Sequence, residues 1–198
     1  MGLFDKMKMQ TGHVTSQSAK FAGQVAGTMT RSGSKSMMFP TLPMTLAEFS
    51  AFPQAQMQTP YDTAALFVLA LNAYTKNQNE SIAMINFLKG PSPLSGRELQ
   101  MLRTEMGQAG KGDYLAQSYL AGATPQNDYT PSQPYTVVVS DNPYSYDNAG
   151  YAKLYVACGG ADSPRPIKLR QAKDGKWYLW EQFLLTGIKK AESSNPWA

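Results

Sequence analysis

The sequence predicts an α+β fold in which N-terminal helices pack on a C-terminal antiparallel meander of four or more strands. Apolar residues recur at three- and four-residue intervals between residues 61 and 122, which is helical spacing. From residue 123 onward, short apolar or alternating segments separated by turn residues replace that spacing. Helices followed by strands are typical of α+β domains.

The first two predicted helices follow the proline-rich stretch that ends at residue 60. Asp62 is a candidate N-cap for TAALFVLALNAY, which is apolar almost all round and therefore predicts a buried central helix. In ESIAMINFLKGP the isoleucines and leucine lie three apart, and Gly90 marks the expected helix end.

Two further helices are predicted before the strands begin. Ser95 and Glu98 form a capping box ahead of LQMLRTEM, whose apolar residues mark a buried face. A shorter helix is expected from Asp113 to about Gly122, over DYLAQSYLAG.

Four strands complete the predicted domain: YTVVVS at 135–140, YAKLYVAC at 151–158, PIKLRQ at 166–171 and KWYLWEQF at 176–183. In PIKLRQ the apolar residues face one way, while Lys168 and Arg170 face the other. The dipeptide Asp174–Gly175 has the composition of a two-residue type I′ hairpin between the last two strands.

Composition divides the chain into a basic, Ser/Gly/Met-rich arm (1–40), a proline-punctuated connector (41–60) and a single α+β domain (61–198). The arm holds five basic residues against one acidic residue, and the rest of the chain holds thirteen of each. All of the net charge of +4 therefore belongs to the arm. Because the domain shows no basic excess, we do not expect it to bind nucleic acid.

The arm permits two interpretations. Phe21, Val25 and Met29 recur at four-residue intervals, which predicts an amphipathic helix that contacts a second copy, a protein partner or a membrane surface. The alternative is a flexible segment that orders only in context, because Gly23 and Gly27 would each cost a helix about 1 kcal/mol relative to alanine.

Cysteine and apolar content indicate the compartment. Cys158 is the single cysteine, so no intrachain disulfide forms, and no run of eighteen apolar residues is present. The N-terminal residues MGLFDKMKMQ lack the apolar core of a signal peptide. We expect a cytoplasmic protein, free, at a membrane surface or within a larger assembly.

The residue inventory argues against common catalytic and metal chemistry. His13 is the only histidine and lies in the arm, so neither a histidine-based triad nor a zinc site is expected in the domain. Asp and Asn in SDNPYSYDNAG favour turns over a calcium loop. We predict no catalytic residue, cofactor or metal. An enzyme remains the alternative, with an Asp/Tyr-lined pocket in a cone-like fold or a pocket for a small molecule.

The C-terminal half is rich in aromatic residues that could bind a partner. Nine of the eleven tyrosines lie between residues 114 and 178. Tyr and Trp dominate interface hot spots, so Tyr144, Tyr146, Trp180 and the outward-facing Arg170 are candidate partner-binding residues. The alternative is that these rings simply pack on the sheet.

The stretch GGADSPRP, at 159–166, connects two predicted strands and has two interpretations. As a corner, its glycines supply unusual backbone angles, its prolines stiffen the return, and Asp162 pairs with its own turn or with Arg165. As a site, Asp162 and Arg165 contact a partner.

Several long strings resemble a bacterial protein family known only as a domain of unknown function. They are FLKGPSPLS, SYLAGATPQNDYTP, NPYSY, GGADSPRPIKLR, WYLWEQFLL and the terminal NPWA, within residues 61–198. The resemblance implies one domain and supplies no activity or ligand. The function expected from the residues is a non-enzymatic module that binds a protein partner or self-associates, with the arm making a further contact.

Overall fold

A computed structural model of the chain describes residues 33–108 and 111–194. Its sheet contains β1 (Ser34–Phe39), β2 (Tyr135–Ser140), β3 (Tyr151–Val156), β4 (Arg165–Gln171) and β5 (Trp177–Gln182). The helices are α1 (Leu46–Ser50), α2 (Pro60–Ala73), α3 (Gln78–Lys89), α4 (Gly96–Met106) and α5 (Lys111–Gln117). The strands lie side by side in chain order and every neighbouring pair is antiparallel. The predicted α+β fold is confirmed.

The sheet has a fifth strand, β1, that lies inside the segment assigned to the arm. It pairs with β2 over its whole length, from Ser34 opposite Ser140 to Phe39 opposite Tyr135. Phe39 is 1% exposed and packs edge-to-face on Phe52, with ring centroids 5.3 Å apart. The pattern did not predict this strand because it is an edge strand with mostly exposed side chains.

The connector assigned to 41–60 is also part of the fold. It contains α1 and a 3₁₀ turn at Pro53–Gln56, and it buries Phe49 completely. Phe49 packs edge-to-face on Phe87 of α3, with centroids 6.0 Å apart. Pro53 and Pro60 occupy the first positions of the 3₁₀ turn and of α2, where a missing N–H costs no helical hydrogen bond.

Helix α2 is the centre of the core, as predicted. Its residues are buried on nearly every side, and it packs against α3 and the inner face of β2–β5. The N-cap is Thr59 rather than Asp62: the Asp62 carboxylate accepts from the Thr59 backbone N–H at 2.8 Å. Asp62 thus completes a capping box from the third helical position, since Pro60 already occupies the first.

The remaining helices follow the sequence signals closely, except at one end. Helix α3 stops at Gly90, which has φ 56°, and α4 begins with the predicted Ser95–Glu98 capping box. Helix α5 ends at Gln117, several residues before the predicted end near Gly122. The Ala121 N–H donates to the carbonyl of Thr136 in β2, at 2.8 Å, and so does not make a helical hydrogen bond.

The β4–β5 turn differs from the predicted type I′ hairpin. That turn type needs positive φ at both central residues, and of Asp174 and Gly175 only Gly175 has it, at 80°. The Gly175 N–H donates to the Ala172 carbonyl at 3.0 Å, and the Lys176 N–H donates to the Asp174 side chain, also at 3.0 Å. The turn is a longer loop with glycine in the left-handed position.

The two faces of the sheet have opposite character. On β4, Ile167 and Leu169 are fully buried against the helices, whereas Lys168 and Arg170 point outward, as the alternation predicts. Lys153 of β3 and Trp180 of β5 are exposed on the outer face as well. Across the described residues, no helix is long and apolar enough to span a lipid bilayer.

Candidate functional site

Six residues form a basic and aromatic surface on the outer face of β3–β5, here called the outer-face patch: Tyr144, Tyr151, Lys153, Lys168, Arg170 and Trp180. All but Arg170 line a cleft of about 460 Å³ below the β2–β3 loop. Arg170 lines an adjoining cleft of about 310 Å³, and Trp180 borders both. The patch therefore spans two neighbouring depressions.

A β-bulge in β5 places Trp180 on this face. Lys168 lies opposite Glu181, but the next pair along is Leu169 with Leu179, so Trp180 has no partner on β4. The extra residue lets both Trp180 and Glu181 face outward, whereas strict alternation would turn one of them inward. Glu181 forms an ion pair with Lys168 at 2.8 Å.

Arg170 lies against two aromatic rings that meet at an angle. Its guanidinium carbon lies 4.7 Å from the Trp180 ring centroid and 5.4 Å from the Tyr151 ring centroid. The two rings meet edge-to-face, with centroids 6.0 Å apart. Each stack contributes about 0.5–1 kcal/mol at an exposed site. Within the described ranges, the guanidinium has no ion-pair partner.

The β2–β3 loop holds Tyr144 above the cleft. Tyr144 is 74% exposed, although its backbone N–H donates to the Asn142 side chain at 2.9 Å. The Asn142 N–H donates to the Ser145 hydroxyl at 2.9 Å, and the Ser145 carbonyl accepts from the backbone N–H of Lys153 at 2.8 Å. The loop is therefore a hydrogen-bonded turn, and it fixes the backbone that carries an exposed ring.

Tyr146 lies apart from the outer-face patch. It is half-buried and hydrogen-bonds to Tyr61 at the start of α2, beside Asp141. Burial, followed by these hydrogen bonds, raises the pKa of Tyr61 well above its usual value. The Lys35 ammonium lies over the Tyr61 ring, 4.4 Å from its centroid. Tyr61 of α2 thus contacts β1 through Lys35 and the β2–β3 loop through Tyr146.

The GGADSPRP stretch ties the C-terminal segment to the sheet. Arg165 donates to the Gly187 carbonyl at 2.5 Å, and Asp162 pairs with the Lys189 ammonium at 2.5 Å rather than with Arg165. The Lys189 N–H donates to the Gly160 carbonyl at 2.8 Å. Hydrogen bonding to Lys189 lowers the pKa of Asp162. These contacts favour the corner interpretation, and the partner-binding role of both side chains stays a prediction.

The two glycines serve close packing rather than unusual angles. Neither Gly159 nor Gly160 has positive φ. A Cβ on Gly159 would overlap the Ala123 carbonyl, and one on Gly160 would overlap the Tyr129 hydroxyl. That hydroxyl donates to the Lys189 carbonyl at 2.6 Å, and burial raises the pKa of Tyr129 to about 12. The backbone approaches two neighbouring segments too closely for any side chain.

Arg165→Ala is expected to lower the free energy of unfolding by about 1–2 kcal/mol, because it removes a charged hydrogen bond to the C-terminal segment. Asp162→Ala, at an 88% exposed side chain, is expected to leave stability essentially unchanged. Urea unfolding of both variants measures the difference. If folded Asp162→Ala instead loses a binding partner, the stretch is a site.

Most of the chain matches one known protein family. The model of the family described as Domain of unknown function (DUF6935) matches residues 41–192. The chain belongs to this DUF6935 family. No curated protein and no solved structure matches it. The matched range covers all five helices, strands β2–β5, the outer-face patch and the GGADSPRP corner, which confirms the family resemblance seen in the sequence.

Apolar side chains from the helices and the inner sheet face form the core of the DUF6935 domain. In the part of the chain that the structure describes, the pKa values of the Glu98, Asp162 and Asp174 carboxyl groups are lowered. A carboxyl whose pKa is raised in a pocket is one mark of an acid–base site on the Asp/Tyr pattern. In the ranges 33–108 and 111–194, no three His, Cys, Asp or Glu residues lie together as metal ligands.

Of the candidate residues, the structure brings Tyr144, Arg170 and Trp180 together and places Asp162, Arg165 and Tyr146 elsewhere. The arm candidates, Phe21, Val25 and Met29, lie outside the described residues, as does His13. Tyr151, Lys153 and Lys168 were missed. The sequence could have identified them, because the alternation in YAKLYV and PIKLRQ predicts that their side chains face outward.

Proposed function

We propose that this DUF6935 chain is a non-enzymatic protein-binding module whose partner docks on the outer-face patch. The observation that supports this most directly is the contact of Arg170 with both the Tyr151 and the Trp180 ring on an exposed sheet face. Trp, Tyr and Arg are the side chains that dominate protein interfaces, especially when neighbouring contacts hold them in place.

Charge supports a protein partner over nucleic acid. Residues 33–194 carry fourteen basic and thirteen acidic side chains, so the described body has no general attraction for a polyanion. The outer-face patch combines its cations with rings and with Glu181 and Asp147 nearby. Such mixed character is typical of an interface that recognises one protein surface.

A capture experiment tests this proposal by comparing two exposed apolar residues, one on strand β5 and one on strand β1 at the other edge of the sheet. Trp180→Ala removes the centre of the outer-face patch, and Met38→Ala, at a 65% exposed residue of edge strand β1, is the matched control. Each tagged variant is used to capture proteins from the source cells, with thermal unfolding as the check on folding. We expect Trp180→Ala to weaken capture of the partner about thirtyfold, as for a hot-spot residue.

Wild type and Met38→Ala should retain the same partner. If folded Trp180→Ala retains it at the wild-type level, the outer-face patch is not the docking surface and the proposal fails.

We also propose that the N-terminal arm makes a contact of its own, with a second copy of the chain or with a membrane surface. Residues 1–32 carry four basic side chains and one acidic side chain. Deleting residues 1–31 should reduce the oligomer size measured by light scattering or abolish sedimentation with anionic liposomes. Unchanged behaviour in both assays would defeat this proposal.

A further inference from the structure

We infer that the partner presents an acidic segment to the outer-face patch and that Arg170 binds one of its carboxylates. This inference rests on the proposed function and adds the chemistry of the partner. Three features of the described residues support it: the orientation of Arg170, the pairing of two lysines across strands, and the distribution of acidic residues around them.

Arg170 is positioned to bind a carboxylate before a partner arrives. Its cation–π contacts with the faces of Trp180 and Tyr151 hold the guanidinium in the angle between the two rings, and they do not use its N–H groups as hydrogen-bond donors. These donors form a rigid fork that matches the two oxygens of a carboxylate. Because the fork has no acidic partner within 33–108 or 111–194, an incoming carboxylate does not have to displace one.

Lys153 and Lys168 lie directly opposite each other on β3 and β4. Like charges in this arrangement destabilise a sheet. Glu181 offsets only one of them, since it pairs with Lys168 at 2.8 Å. The Lys153 ammonium lies 5.8 Å from the Tyr155 ring centroid and has no ion pair among the described residues. A second carboxylate from the partner would relieve this repulsion.

The acidic residues around the patch favour a peptide over a continuous polyanion. Asp147 lines the same cleft as Lys153, and Glu181 lies beside Trp180. These carboxylates would repel an unbroken row of phosphates or sulfates. A protein segment can instead place separated carboxylates on Arg170 and Lys153 and set apolar side chains against Tyr144 and Trp180. An acidic protein segment is therefore the partner that fits the outer-face patch.

The test uses the full-length chain and a labelled, capped peptide of alternating Glu and Phe, followed by fluorescence anisotropy. The same peptide with Gln for Glu and a single-stranded oligothymidylate are the comparison probes. We expect the Glu peptide to bind at least about tenfold more tightly than the Gln peptide. Raising NaCl from about 50 mM to about 500 mM should weaken its binding about tenfold.

Arg170→Lys tests the fork, because it keeps the charge and removes the planar pair of donors. We expect about tenfold weaker binding of the Glu peptide. Arg97→Lys, at an exposed position on α4, is the matched control and should bind as wild type. The indole resonance of Trp180 in NMR spectra should shift on addition of the Glu peptide in the wild type.

Equal binding of the Glu and Gln peptides, tighter binding of the oligonucleotide, or full retention of binding in Arg170→Lys would each overturn the inference. The proposed function is judged separately by cellular capture. If Trp180→Ala loses the cellular partner while salt and Arg170→Lys leave its capture unchanged, the docking surface stands and the acidic assignment falls. If Trp180→Ala retains the partner, both fall.

Discussion

Deleting residues 1–40 is expected to lower the free energy of unfolding by more than about 3 kcal/mol, because it removes the buried Phe39 together with strand β1. The deletion also breaks the β1–β2 ladder and exposes the hydrogen-bonding edge of β2. Guanidinium unfolding followed by circular dichroism measures the loss.

The matched control is deletion of residues 1–31, which leaves β1 intact and should unfold at the wild-type midpoint. Equal stability of the two deletions would show that β1 does not contribute to the sheet in solution. The comparison also decides which truncation can be used to study the arm, since a domain without β1 would confuse loss of the arm with loss of folding.

Gly159→Ala is expected to destabilise the domain by about 2–3 kcal/mol. The added methyl group would overlap the backbone carbonyl of Ala123, which cannot move away as a flexible side chain could. The Gly159 N–H also donates to the Ser118 carbonyl at 2.8 Å, so moving this corner strains a second contact. Urea unfolding at neutral pH measures the change.

Gly96→Ala is the control for this prediction, because a Cβ at Gly96 meets nothing within 4 Å at the start of α4. It should be neutral or slightly stabilising, as alanine is the better helix former. If Gly159→Ala is as stable as Gly96→Ala, close packing does not explain the two glycines of GGADSPRP.

Local patterns in the sequence predicted most of the fold. The helix end at Gly90 and the capping box at Ser95 depend on residues within one or two turns of each other, so they could be read directly. The β1 strand could not, because its only strong signal is pairing with β2, about a hundred residues later in the chain. The type of the β4–β5 turn was also not determined by the dipeptide Asp174–Gly175.

The candidate site was predictable only in part. Alternation in β4 placed Arg170 outward, but its contact with Trp180 depends on the bulge, which is a property of the β4–β5 register. The role of the glycines in GGADSPRP likewise depends on residues distant in sequence. The sequence suggested that Gly159 and Gly160 are needed for unusual backbone angles. In the structure neither has positive φ, and both lack a side chain where residues from elsewhere in the chain pack directly against the backbone.

Photo-crosslinking in the source cells tests most directly whether the outer-face patch is a protein-docking surface. A benzoylphenylalanine is placed at the 74% exposed position of Tyr144, and the control carries it at the 65% exposed position of Met38. We predict that position 144 crosslinks to one partner and position 38 does not. A partner that still co-purifies but crosslinks only from position 38 would contradict the assignment.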